Sequence, residues 1–308
     1  MNIENELKSD FLLTHKSFAA KSLSWLNKHL DSFSPTRNNN LCLDGVKAFS
    51  ELSLLYTYLK KRNHLEFEAE ISNWQSFFEN HLKNKLYAEA VRKRPKEAYH
   101  MMFPYLQLRS TGYKSGYYEE SHQYMINWGH YDSIELVPFR KMDLEYFLWK
   151  SDLQGEPDWI KHFPSTILGR FQSTITLDES AAYSITHTLF YMTDFGNRSL
   201  SLSQSDIDEI ANVLEALLIH YWRVGHYDLM GELLINLTFL EKNNTYLYRN
   251  ARNAFLNAWN EDGSIPAMKN KRNESEQSEF SFCYHTTLVG VLLCAVEINK
   301  TLQKEASK

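Results

Sequence analysis

The stretch Tyr183-Ser-Ile-Thr-His-Thr-Leu-Phe-Tyr-Met-Thr-Asp-Phe-Gly196 leaves its chain few ways to fold. Wound as a helix, it places His187, Phe190, Tyr191 and Asp194 at i, i+3, i+4 and i+7 on one stripe, with Tyr183 one turn earlier. Ile185, Leu189 and Met192 form a second stripe that is wholly apolar. Such a helix has no solvated face and must be covered on nearly every side. Its histidine, tyrosines and carboxylate are costly to bury unless they are paired or line a cavity. The sequence therefore predicts an inner wall with a pocket beside it.

The rest of the chain offers helices to cover that wall. Eleven glycines and seven prolines in 308 residues are too few for a turn-rich β architecture. Apolar periodicity predicts helices over 5–31, 44–61, 65–81, 86–108, 117–127, 132–136 and 141–152. It predicts five more over 178–195, 205–223, 228–241, 245–259 and 280–303. The expected fold is all-α, an α/α toroid or helical-hairpin solenoid of about eleven to twelve helices. One domain over 1–308 is expected, with 153–177, punctuated by Pro157 and Pro164, as the place for any division. A short echo links Trp128-Gly-His-Tyr-Asp132 with Val224-Gly-His-Tyr-Asp228. Both read as a helix-ending glycine followed by an aspartate that caps the next helix.

Composition narrows the function classes. A net charge of −5 shows no basic excess, so nucleic acid is not expected as a partner. Cys42, Cys283 and Cys294 make no disulfide framework and suit a reducing compartment. The N-terminus is polar, and no apolar run is expected to reach the roughly 18–20 residues of a membrane span. A cytoplasmic protein without a membrane partner is expected. Phosphate-binding glycine loops are absent, so no nucleotide cofactor is implied. Nucleophile-elbow and His-Glu-x-x-His motifs are absent too. Asp194-Phe-Gly196 lacks the companion motifs of a kinase.

Several residues are suited to chemistry. His187 can serve as a base or a metal ligand, with Asp194 two turns on to orient it and Tyr183 and Tyr191 bracketing it. His285 stands near the start of an apolar helix, just past the polar loop 260–279, which has the length of a lid. Against these stand a histidine satisfied by a backbone carbonyl, an Asp194 paired with Arg198, and a capping His285. Cys283 with His285 invites a zinc site, completed by Asp194 or His187. His226, Asp228, Glu232 and Asn236 form a further polar group. The last three share one helix stripe, read most simply as a solvated face with an N-cap. Lys47 and Glu51 read as an ion pair. His122, Tyr124 and His130 lie in an aromatic-rich stretch, and Arg92-Lys-Arg-Pro-Lys96 is a basic cluster suited to phosphate or to a solvated helix end.

The loop Asn260-Glu-Asp-Gly-Ser-Ile-Pro266 resembles the turns of α/α-toroid proteins, a group that includes terpene cyclases, prenyltransferase β subunits, helical glycoside hydrolases and lanthipeptide cyclases. Two of these use Cys and His zinc ligands, but the chain has neither Cys-His-Gly nor a second cysteine near a histidine. The Asp-Asp-x-x-Asp of pyrophosphate-ionising synthases is also missing. Thr186-His187 with Asp194-Phe-Gly196, together with Tyr284-His-Thr-Thr-Leu288, resembles a bacterial all-helical family of about this length, which implies no activity. Fold likeness confers no function.

Two readings compete. One is a bacterial biosynthetic enzyme of specialised metabolism or peptide tailoring. It would use lyase-, cyclase- or hydrolase-like acid/base or metal-assisted chemistry on a peptide or small organic substrate. The other is a non-catalytic helical-repeat module that binds a peptide or partner. A carbohydrate-active toroid ranks behind both, because no carboxylate pair stands out. An enzyme predicts that His187 and His285 converge within about 10 Å of one another on a carboxylate or tyrosine hydroxyl. A binding module predicts that they lie apart.

Overall fold

The computed structural model describes residues 3–94, 98–170, 173–270 and 279–306. The fold is all-α: α1 Ile3–Lys28, α2 Leu43–Lys61, α3 Glu68–Ile71, α4 Trp74–Leu82, α5 Lys85–Lys93, α6 Ala98–Arg109, α7 Gly116–Asn127, α8 His130–Ser133, α9 Pro138–Lys150, α10 Trp159–His162, α11 Glu179–Met192, α12 Gln204–Val224, α13 Tyr227–Phe239, α14 Tyr246–Leu256 and α15 Glu279–Ala306. The chain forms two compact units. One joins Met1–Lys28 to Trp159–Lys308, and the other is His29–Asp158.

The unit His29–Asp158 carries a hairpin near its start, Thr36–Arg37 paired with Asn40–Leu41. Asn38 and Asn39 both have positive φ, the conformation that tight hairpin turns require and asparagine tolerates. The helix predicted over 86–108 is two helices, α5 and α6. Arg94, which precedes Pro95, is pushed out of the helical region to φ −124, ψ 74, as a residue before proline generally is. Helix α6 packs on α2, α5 and α9. Its contacts are sealed by Tyr87 donating to the Met101 carbonyl at 2.7 Å and Arg109 donating to Glu119 at 2.7 Å.

In the other unit, α13 is buried along its length and packs on α11, α12, α14 and α15. Burial of this kind stabilises by roughly 1.5–3 kcal/mol per large apolar side chain. Gly231 allows the close crossing, since a Cβ there would meet Val289 at 2.5 Å and Phe255 at 3.0 Å. Helix α1 packs along α15. The Asp262-Gly-Ser turn docks on α1, with Ser22 donating to the Gly263 carbonyl at 2.7 Å and Trp259 donating to Ser22 at 2.7 Å.

One expectation is corrected here. Glu279–Gln303 in α15 is long and apolar enough to cross a membrane by length and composition. In the fold this segment is a mostly buried core helix, lying against α1 and α13.

Candidate functional site

Three helices bring polar side chains to one place. Asp178 caps α11 by accepting from the Ala181 amide at 2.8 Å. This fixes the register that sets Tyr183, Thr186 and His187 toward α13. Asp228 and Glu232 lie one turn apart on α13 and so share a face. His285 and Thr286 come from the second turn of α15.

Glu232 is the centre. It accepts from Thr186 at 2.5 Å, its Oε2 lies 3.7 Å from His187 Nδ1, and its Oε1 lies 3.4 Å from His285 Nε2. Asp228 accepts from Tyr183 at 2.5 Å and from Thr286 at 3.0 Å, and its Oδ2 lies 3.5 Å from His285 Nε2. Both carboxylates are buried, whereas the imidazoles of His187 and His285 are 23% and 26% exposed. The acids thus lie behind the imidazoles as seen from solvent.

The electrostatics follow from this arrangement. Burial pushes the Glu232 carboxyl up, but His187, His285 and the Thr186 hydroxyl outweigh it and hold the group below its usual range. Burial raises the Tyr183 phenol, and the neighbouring Asp228 and Glu232 charges raise it further. Tyr183 is therefore a hydrogen-bond donor at neutral pH. His187 Nδ1 donates to the Tyr183 carbonyl at 2.7 Å, which puts the ring's lone pair on Nε2.

The sequence-predicted residues divide. His187, His285 and Tyr183 meet at the two carboxylates. Tyr191 is buried on the same helix, its ring edge-on to His187 with centroids 6.4 Å apart. Asp194 lies past the end of α11 at φ +48 and accepts from Asn197 at 2.9 Å, so the helical register connecting it to His187 does not extend that far. Glu232 stands by His187 in its place. Among the described residues, the group that could hold a metal ion is Asp228, Glu232 and His285, whose ligand atoms lie within 4.8 Å of one another. Cys283 is outside that group. It is buried two residues before His285, on the opposite side of the helix.

Asp228, Glu232 and Asn236 do not form a solvated face, because four helices surround α13. Nor does Asp228 cap its helix. His226 is the cap, accepting from the Leu229 amide at 3.3 Å. Gly129 and Gly225 do share left-handed geometry, as the echo suggested. The described part of the polar loop, through Asn270, lies over the start of α13, where the Ala267 carbonyl accepts from Tyr227 at 2.9 Å. The remainder of the expected lid, 271–278, lies outside the described residues. Arg92 is committed to Glu120, Ser121 and the Tyr117 ring, while Pro95 and Lys96 of the basic cluster lie outside the described residues. His122 meets the Tyr131 hydroxyl at 3.1 Å. Lys47 pairs with Glu51 at 3.8 Å.

A sequence model of the domain of unknown function DUF6895 matches residues 19–295. The chain belongs to the DUF6895 family. The match includes α11, α13 and the first half of α15, hence every residue of the cluster. No curated protein and no solved structure matches this DUF6895 chain.

Proposed function

We propose that the chain is an enzyme, and that the cluster on α11, α13 and α15 is its acid/base centre. The observation that carries this reading is the approach of His187 and His285 to opposite oxygens of one buried carboxylate, at 3.7 and 3.4 Å. Two part-exposed imidazoles gathered beside one buried acid fit proton transfer to and from a substrate. His187 serves as the base through Nε2. His285, set between Asp228 and Glu232, serves as the acid that returns the proton. Tyr183 and Thr286 hold Asp228 in place, and Thr186 holds Glu232.

The reaction is lyase-, cyclase- or hydrolase-like, on a peptide or small organic substrate. Its setting is bacterial specialised metabolism or peptide tailoring in the cytoplasm. The helical pairs would then serve as the hairpins of a toroid or solenoid whose inner faces present polar groups. A helical-repeat binding module has no need of two part-exposed histidines on one buried acid.

The test is to incubate the protein and its Glu232→Gln variant with fractionated bacterial extracts and peptide pools, and to follow both by untargeted mass spectrometry. The expected result is a substrate consumed by the wild type, with turnover at least about 100-fold slower in the variant. Equal depletion by both, or binding without conversion, would overturn the assignment.

A further inference from the structure

We infer that Asp228, Glu232 and His285 form the three-ligand site of a divalent transition-metal ion of the zinc or manganese class. This deepens the acid/base reading of the same cluster and rests on it for its role, with one change: with the ion bound, His285 Nε2 would be a ligand, and the return of the proton would fall to His187. The binding claim is tested on its own.

The spacing of the three side chains suits an ion. Ions of this class hold nitrogen and oxygen ligands at about 2.0–2.2 Å, so two ligands at right-angled to tetrahedral separation stand roughly 3.0–3.5 Å apart. His285 Nε2 is 3.4 Å from Glu232 Oε1 and 3.5 Å from Asp228 Oδ2. Both separations are longer than a good hydrogen bond and match the edge of a coordination shell.

The charge of the cluster favours a cation. Two carboxylates on adjacent turns of a buried helix repel each other, and burying both is costly without compensation. The hydroxyls of Tyr183, Thr186 and Thr286 bring dipoles and no charge, and His187 and His285 offset the pair only when protonated. A divalent cation balances the pair while leaving the imidazole neutral, the form that ligates.

The surrounding hydroxyls orient the ligands. Metal-binding carboxylates are characteristically oriented by hydrogen bonds to their other oxygens. Thr286 donates to Asp228 Oδ1 and Thr186 to Glu232 Oε2, so Oδ2 and Oε1 are the oxygens nearest His285, and Oδ2 also accepts from Tyr183 at 2.5 Å and has its second lone pair for an ion. Three protein ligands with part-exposed imidazoles at the edge describe an open site, the arrangement that leaves a position for water or substrate. Two oxygens and one nitrogen are a borderline-hard set that suits zinc or manganese rather than a thiolate-seeking ion. Cys283 has no part in it.

The test uses the full-length protein stripped with chelator. Mn²⁺ binding is read by loss of the free-ion electron paramagnetic resonance signal, and Zn²⁺ binding by competition with a chromophoric chelator. The wild type should take up one ion per chain. Asp228→Asn, Glu232→Gln and His285→Gln should each weaken binding by more than about 100-fold, and Thr286→Val by about tenfold. His187→Gln should leave affinity within a few-fold. Should a core variant not fold, an anomalous-scattering peak among the three side chains in Mn²⁺-soaked wild-type crystals decides the point.

The absence of saturable one-to-one binding by folded wild type would overturn the inference, as would binding that all the variants retain. Turnover lost in Glu232→Gln by a protein that binds neither ion would sink the metal site and leave the acid/base reading intact. Metal binding lost in Glu232→Gln, with no conversion by the wild type, would do the reverse.

Discussion

Glu232 and Glu297 are both glutamates on core helices of the same unit, and each is only 2% exposed. They differ in what surrounds them. Glu297 on α15 is closed in by His15 of α1 at 2.5 Å, by Tyr248 at 2.7 Å and by Arg252 at 3.4 Å, the last two from α14. Thr238 of α13 completes the knot through the Tyr248 hydroxyl at 2.7 Å. One negative charge meets a guanidinium, an imidazole and a phenol, and four helices are tied together. Glu232 has a second carboxylate one turn away, and both imidazoles beside it reach solvent. Burial alone therefore does not separate the structural acid Glu297 from Glu232, the one we propose takes part in chemistry. The charge balance and the exposure of the partners do.

The comparison breaks most readily at Glu297. Glu297→Gln leaves Arg252 and His15 without their anion. Arg252 is part-exposed, so we expect the lower end of the cost of breaking a buried pair, about 3 kcal/mol. Urea unfolding reads this directly, and a loss below about 1 kcal/mol would show that the knot is not structural. Glu232→Gln should cost less, about 1–2 kcal/mol, since it forfeits hydrogen bonds to a charged group while relieving repulsion from Asp228. If Glu232→Gln proves the more damaging of the two, the comparison fails.

Acid sharpens the same contrast. Both carboxyls are held below their ordinary value of 4.5, against burial that would raise them. A depressed carboxyl contributes stability that is fully present above its unfolded pKa and lost as pH falls through the folded one. Urea midpoints should therefore drop as pH falls below about 4.5, and less steeply in Glu297→Gln than in the wild type. An unchanged slope would show that Glu297 is not coupled to folding.

The smallest expected effect lies at Tyr183. Tyr183→Phe removes one donor to Asp228 and should cost about 1 kcal/mol of stability, read by thermal melting. It should also slow turnover, with Asp228 less well held. Unchanged turnover would place Tyr183 outside the working set.

Much of this was legible in the sequence. The stripe of Tyr183 and His187 needs only helical periodicity, and in the fold it is part-exposed and reaches Asp228 and Glu232 of α13. The placement of His285 at the start of an apolar helix also holds. The carboxylates leave a weaker trace. Asp228, Glu232 and Asn236 at i, i+4 and i+8 look the same whether water or protein covers them. Periodicity defines a face but does not say which neighbour lies against it. The clue was the rest of α13, Leu229-Met-Gly-Glu-Leu-Leu-Ile-Asn-Leu237, which has no side polar enough to be a surface. Asp194 shows the opposite limit. Its i+7 spacing from His187 holds only while the helix continues, and α11 ends at Met192. The Glu297 knot joins side chains from four helices, among them His15 and Glu297 at nearly opposite ends of the sequence, which no local pattern connects.

The most direct test of the account pairs unfolding free energy with turnover per folded molecule in Glu232→Gln and Glu297→Gln, using the substrate found by mass spectrometry. The account predicts that Glu297→Gln loses most in stability and keeps its turnover, while Glu232→Gln keeps most of its stability and loses turnover. Variants that lose both properties in parallel would contradict the division of labour between the two acids.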